Sequence, residues 1–192
     1  LDIVRMIFEE LTVPFTCGGG IRSLDTISNL ISAGAEKIVL NTGAFENHDL
    51  ITLGASKFGR QCIVVSIDAK QTAGRGYEVF INNGTTATGK DPVDWAREAQ
   101  NLGAGEILIN SIDRDGTMEG YDLQLIRQVS DAVKIPVIAA GGASEPSDCA
   151  RAILEGHASA VAAGSLYHFR GTTPNMVRDA LALHKIPVRM HV

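Results

Sequence analysis

Twice along this chain a proline leads through a short apolar run to a glycine six positions later, as Pro14 to Gly20 (PFTCGGG) and Pro136 to Gly142 (PVIAAGG). Each run is followed after fourteen residues by another glycine, Gly34 or Gly156, and then by a strand-like stretch with a small polar end, Asn41-Thr42-Gly43 or Gly164-Ser165. Two copies of one β-α-β unit are implied. Between and around them apolar runs near 13–17, 37–41, 63–67, 106–112, 136–140 and 160–164 alternate with helical patterns, among them 24–33, 92–102, 122–132 and 146–154. Strand followed by helix, repeated, predicts a parallel α/β sheet. A repeat of this size favours a (βα)8 barrel over an open dinucleotide-binding sheet, and Gly18-Gly19-Gly20 opens no GxGxxG fingerprint. The apolar spacing of Ile3, Val4, Ile7, Phe8 and Leu11 predicts that the chain begins inside an amphipathic helix. The segment from Gly74 to Gly84 reads as a hairpin inserted on the ligand side of the sheet.

Composition narrows the functional classes. With 192 residues and 45% hydrophobic content the chain can bury a full core as one domain spanning residues 1–192. The net charge of -5 is spread without long like-charge runs, which argues against a nonspecific nucleic-acid surface. Cys17, Cys62 and Cys149 form no CxxC pair, and the five histidines lack ligand spacing, so neither a disulfide framework nor a metal site is expected. No apolar run reaches the length of a membrane span and no signal peptide is visible, so a reduced cytoplasmic setting without membrane contact is expected.

Two strands end in aspartate: VVSID places Asp68, and ILINSIDRDG places Asp115, at carboxyl ends where parallel α/β folds bind ligands. Each is a candidate for proton transfer or, alternatively, the start of a turn. Asp113 is expected on the other face or in the turn, with Arg114 as a partner. The glycine clusters 18–20 and 141–142 either make tight turns or bring bare backbone amides up to phosphate. Their repetition beside Asn41, Thr42, Gly164 and Ser165 favours two phosphate sites, hence a substrate phosphorylated at both ends. Lys37 and Glu106 open otherwise apolar strands and so fall at the opposite end of the sheet, where a solvated rim is the ordinary outcome. His168 and Trp95 read as packing or interface residues.

PFTCGGGI, IVLNTGA, VVSIDAK, GAGEILINSIDRDGT, GYDLQLI and IPVIAAGGA together resemble the cyclase subunit of imidazole glycerol phosphate synthase over nearly the whole chain. The resemblance implies a (βα)8 barrel that joins ammonia to a bisphosphorylated aminoimidazole carboxamide ribonucleotide, without a metal or other cofactor. It implies a glutaminase partner on the amino-terminal face. Residue by residue, Asp68 corresponds to an essential acid/base and Asp115 to a further active-site aspartate. Gly20, Asn41 and Thr42 correspond to one phosphate site; Gly142, Gly164 and Ser165, with Gly141 beside them, correspond to the other. Asn83 falls where the hairpin approaches substrate, and Lys37 and Glu106 match two of four charged residues that gate ammonia.

The resemblance also carries departures. The strands correspond to the third through eighth of the barrel, so the partner aspartate and the other gate residues fall outside these 192 residues, and the chain alone is expected to be inactive and to associate through its open edges. Asn110 and Ala140 stand where threonine and serine are usual, and VAAGSL has Gly164 before Ser165, with one additional residue after Gly156. These differences look like a paralogous branch that amidates surface-polysaccharide sugars. A sugar phosphate isomerase of the same pathway, or a fragment that only binds, are the remaining alternatives.

Overall fold

The computed structural model describes residues 2–74 and 76–188. Leu1, Arg75 and His191, on which some expectations above fall, lie outside them. Helix α1 (Asp2–Glu10) precedes strand β1 (Thr16–Gly18), α2 (Leu24–Ser32), β2 (Lys37–Leu40), α3 (Thr42–Glu46) and α4 (Asp49–Phe58). Then come β3 (Ile63–Thr72), β4 (Gly76–Ile81), β5 (Thr86–Ala87), α5 (Pro92–Leu102), β6 (Glu106–Ser111) and α6 (Leu123–Ser130). The described chain closes with β7 (Val137–Ala140), α7 (Pro146–Leu154), β8 (Ala160–Val161), α8 (Ser165–Phe169) and α9 (Pro174–Leu183).

Among these residues six strands run parallel in the order β1-β2-β3-β6-β7-β8, each successive pair joined through helix. The sheet curls into a half-barrel, an incomplete (βα) barrel. Period-two alternation divides each strand between two environments. Ile38, Leu40, Ile67, Ile107, Ile109 and Ala139 pack fully buried against the helices. The opposite face carries Lys37, Val39, Asn41, Ser66, Asp68, Leu108 and Asn110 into the concave trough.

The helices start where their local chemistry dictates. Ser23, Asp91, Asp122 and Thr173 each accept a backbone N–H of the first turn, and a proline follows Asp91 and Thr173 directly. Asp122 is therefore the cap of α6 rather than its first residue. Trp95 is buried beneath Phe45 and His48, with ring centroids 5.2 and 5.1 Å away, in the helical layer where packing was expected.

Strand lengths differ from the sequence pattern in an informative way. The apolar run of β3 stops at Ile67, yet the strand continues to Thr72 because β4 pairs with it antiparallel from Asp68↔Phe80 to Thr72↔Gly76. The expected hairpin is thus a direct extension of β3, rising from the carboxyl end of the sheet. The outer strands are shorter than expected: among the described residues β1 holds three residues paired only with β2, and β8 holds two paired only with β7. With a partner on one side alone, few ladder bonds reward the ordering of further residues.

Those two free edges are flanked by exposed apolar side chains: Met6 and Val13 near β1, Phe169 and Leu183 in the segments after β8. An unpaired parallel edge beside apolar surface is a template for association. The isolated 192-residue chain is expected to elute from size-exclusion chromatography, with light scattering, as a dimer or larger species. A monodisperse monomer with a cooperative melt would contradict this.

Candidate active site

Register sets Asp68 directly beside Asn110, while Asn41, just past Leu40, falls opposite Ser66 and reaches Asp68 diagonally. Leu40 pairs with Val65 and Asp68 with Asn110, so Asn41, Asp68 and Asn110 converge at the carboxyl ends of β2, β3 and β6. Asn41 Nδ2 donates to Asp68 Oδ2 at 2.8 Å, and Asn110 Nδ2 donates to Asp68 Oδ1 at 3.1 Å. Both carboxylate oxygens are held by amides from the flanking strands, and the half-buried side chain cannot swing away without breaking one of these bonds. Asp68 is oriented at the mouth of the trough rather than used to begin a turn.

On one side of Asp68 lies an open cleft of about 540 Å³, bordered by Gly18–Gly20, Asn41, Thr42 and Asn83. Gly19 and Gly20 have φ of +106° and +65°, and a Cβ on either would meet no atom within 4 Å. Their bare backbone faces open space. The conformation favours glycine, and the vacant volume leaves room for an anion at the amides. The turn of the hairpin reaches this cleft through Asn82 and Asn83, both left-handed at φ 53° and 57°. Asn82 N–H donates to Thr42 Oγ1 at 2.9 Å, so the hairpin rests on a side chain of the cleft itself.

On the other side Gly141, Gly142, Gly164 and Ser165 surround a tighter pocket that Asp115 also borders. Gly142 has φ +102° and receives Gly120 N–H on its carbonyl at 2.8 Å; a Cβ there would come within 2.4 Å of Gly120 O. The β6–α6 loop can lie over the pocket only because residue 142 has no side chain. Tyr121, buried in that loop, donates from its hydroxyl to Ala162 O at 3.0 Å, fixing the segment that leads to Ser165. Burial pushes its phenol pKa far above the ordinary value, so it remains a donor. A shallow trough of about 300 Å³ joins Asp68, Asn110 and Asp115 to Gly141 and Gly164. The residues expected to form two anion sites and a central acid/base are therefore brought together along one mouth.

Asp113 turns away from the mouth and accepts Gln71 N–H at 2.7 Å. Its expected partner Arg114 pairs instead with Glu119 at 3.5 Å. The hairpin is tied to the same loop region through Tyr77, whose hydroxyl donates to Asp122 Oδ1 at 2.9 Å. Burial and then that carboxylate push the Tyr77 phenol pKa well upward.

At the opposite end of the strands Lys37 Nζ donates to Glu106 Oε1 at 2.5 Å. The pair faces the trough and is only 36% and 18% exposed, so the expectation of a solvated rim does not hold. Glu106 Oε2 is buried with no hydrogen-bond partner among the described residues. Such an oxygen loses hydration without compensation and keeps its acceptor capacity unused. Among the described residues no group of three or more His, Cys, Asp or Glu side chains could hold a metal ion, and no helix is long and apolar enough to cross a membrane.

Ser66, Asn82 and Arg22 also belong to the site, although sequence reasoning did not single them out. Ser66 had a readable signal, since it precedes Asp68 by two positions on the same strand face. Asn82 and Arg22 depend on loop geometry that no periodicity encodes.

A protein-family model described as "Histidine biosynthesis protein" matches residues 1–173, which spans all the site residues named above. The chain belongs to the histidine biosynthesis protein family. Its half-barrel, with a carboxylate between two glycine-lined pockets, is thus that of a histidine-biosynthesis barrel of the isomerase and cyclase kind.

In this family member the Lys37–Glu106 pair tests how tightly the trough floor is balanced. Lys37→Met strips Glu106 of its partner and is expected to lower unfolding free energy in urea by about 1–3 kcal/mol. Lys37→Met with Glu106→Gln removes the orphaned charge and is expected to recover roughly 0.5 kcal/mol or more of that loss. Equal losses in the single and double variants would mean that the orphaned Glu106 charge carries no penalty.

Proposed function

We propose that this barrel performs the cyclase reaction of imidazole glycerol phosphate synthase: ammonia is joined to the ribulosyl phosphate arm of a ribulosyl phosphate-bearing aminoimidazole carboxamide ribonucleotide, and cleavage with loss of water gives imidazole glycerol phosphate and the free aminoimidazole carboxamide ribonucleotide. The observation that carries the proposal is the placement of Asp68, held through both oxygens by Asn41 and Asn110, between two glycine-lined pockets. The pockets take the terminal phosphates, on the Gly20, Asn41 and Thr42 side and on the Gly142, Gly164 and Ser165 side. The reacting centre then lies above Asp68, which moves a proton there, with Asp115 alongside. Well-placed acid/base groups contribute about 10²- to 10⁴-fold in rate.

Ammonia is supplied from a glutaminase partner docked at the amino-terminal face and passes along the trough. The free Glu106 Oε2 offers an N–H acceptor at that entrance, and Lys37 holds the other oxygen. This feature supports cyclase over isomerase, since sugar isomerisation needs no nitrogen source. A second reading, the paralogous enzyme that amidates surface-polysaccharide sugars, is favoured by Asn110. Its amide reaches Asp68 from a position where the histidine-pathway resemblance has threonine.

The test is turnover with ammonium salt in a barrel supplied with its first two βα units, on the same chain or as a separate fragment. Release of aminoimidazole carboxamide ribonucleotide is expected to require ammonium, and Asp68→Asn to slow it by about 10²-fold or more. Ammonium-independent conversion without cleavage would support the isomerase, while unchanged turnover in Asp68→Asn would remove that residue from the mechanism.

A further inference from the structure

The first glycine-lined cleft is bordered by one charged side chain among the described residues, Arg22; its other lining residues are neutral. Arg22 lies two residues after Gly20 and sits on the rim formed before α2. Its Nη1 pairs with Glu46 Oε2 at the end of α3, and the two side chains are 59% and 41% exposed. Among the described residues no second acceptor bonds the guanidinium, so most of its donor fork is uncommitted.

We propose that Arg22 is a phosphate ligand held in reserve by Glu46. When a phosphate dianion enters the cleft, the guanidinium exchanges the carboxylate for it. The inference rests on the reading that this cleft takes phosphate, and adds the residue that supplies its charge. Three observations on the pair and the cleft point the same way. An exposed ion pair is screened by water and salt and contributes little, so its loss offers weak opposition. A phosphate within the cleft offers two oxygens to the planar fork, a stronger and charge-assisted arrangement. Finally, the glycine amides and the Asn41 and Thr42 side chains provide dipoles only, in a chain of net charge -5, leaving a dianion otherwise unneutralised. Glu46 has the opposite influence: it competes for Arg22 and repels the arriving anion. Together they make the affinity of the cleft depend on an exchange between two anions for one cation.

The experiment is a titration of the ¹⁵N-labelled chain with inorganic phosphate at fixed ionic strength. Gly18–Gly20 amide signals report the first pocket, and Gly141 and Gly142 report the second as an internal control. Arg22→Gln is expected to weaken the first pocket about tenfold and leave the second unchanged, as loss of a charged hydrogen bond implies. Glu46→Gln is expected to tighten the first pocket by roughly threefold by removing the competitor. Unchanged first-pocket affinity in Arg22→Gln overturns the role of Arg22 while leaving the phosphate site standing. Equal weakening of both pockets by Arg22→Gln, or weakening of the first by Glu46→Gln, overturns the exchange. Wild-type protein with no phosphate response at Gly18–Gly20 removes the phosphate reading and the inference together.

Discussion

Strand register is the constraint on which every other feature rests. A one-residue slip of β3 against β6 would turn Asp68 into the helical layer and bring Ile67 to the mouth. The slip is opposed by Val65, Ile67, Ile107 and Ile109, all fully buried against the helices. Exposing one such side chain costs about 1.5–3 kcal/mol, so the hydrophobic layer fixes the polar one. The same register that seats the core brings Asn41, Asp68 and Asn110 together across three strands, and leaves Lys37 and Glu106 facing each other several residues below. The central Asn41, Asp68 and Asn110 cluster is thus a by-product of core packing, held by strand ends and not by loops.

Above this rigid layer the chemistry depends on backbone exposure. Gly19 and Gly20 adopt positive-φ conformations that favour glycine and leave open space before their amides, while Gly142 lets the β6–α6 loop close over the second pocket. The two halves of the repeat therefore use glycine differently. One keeps a broad cleft open, and the other permits a lid of neighbouring backbone. The tighter second pocket also has an anionic neighbour, Asp115, where the first has a cation, Arg22. Pockets that arise from one β-α-β pattern are consequently unequal in volume and in charge.

Much of this was legible in the chain because it follows short periods. Short apolar runs alternating with helical patterns located the six parallel strands, and strand-end residues located Asp68, Asn41, Thr42 and the glycine clusters. Lys37 and Glu106 were misread on physical grounds alone, since a charge at a strand start is ordinarily hydrated; only the curl of the sheet brings strands separated by 69 residues close enough to pair. The same long-range closeness decides that Asp113 serves Gln71 and that Arg114 serves Glu119. The extension of β3 to Thr72 was hidden because its last residues are polar and owe their strand conformation to β4 rather than to burial.

The hydrogen bond from Asn82 N–H to Thr42 Oγ1 gives the hairpin a role beyond covering the site. It engages a lone pair of the hydroxyl and leaves the O–H proton to be directed elsewhere, toward whatever occupies the cleft. Seating of the hairpin and occupation of the cleft then share one atom. By thermodynamic reciprocity, if the seated hairpin strengthens an anion's hold, the anion strengthens the hairpin's hold by the same factor. The mobility of the Asn82–Asn83 turn becomes a gauge of how full the neighbouring cleft is.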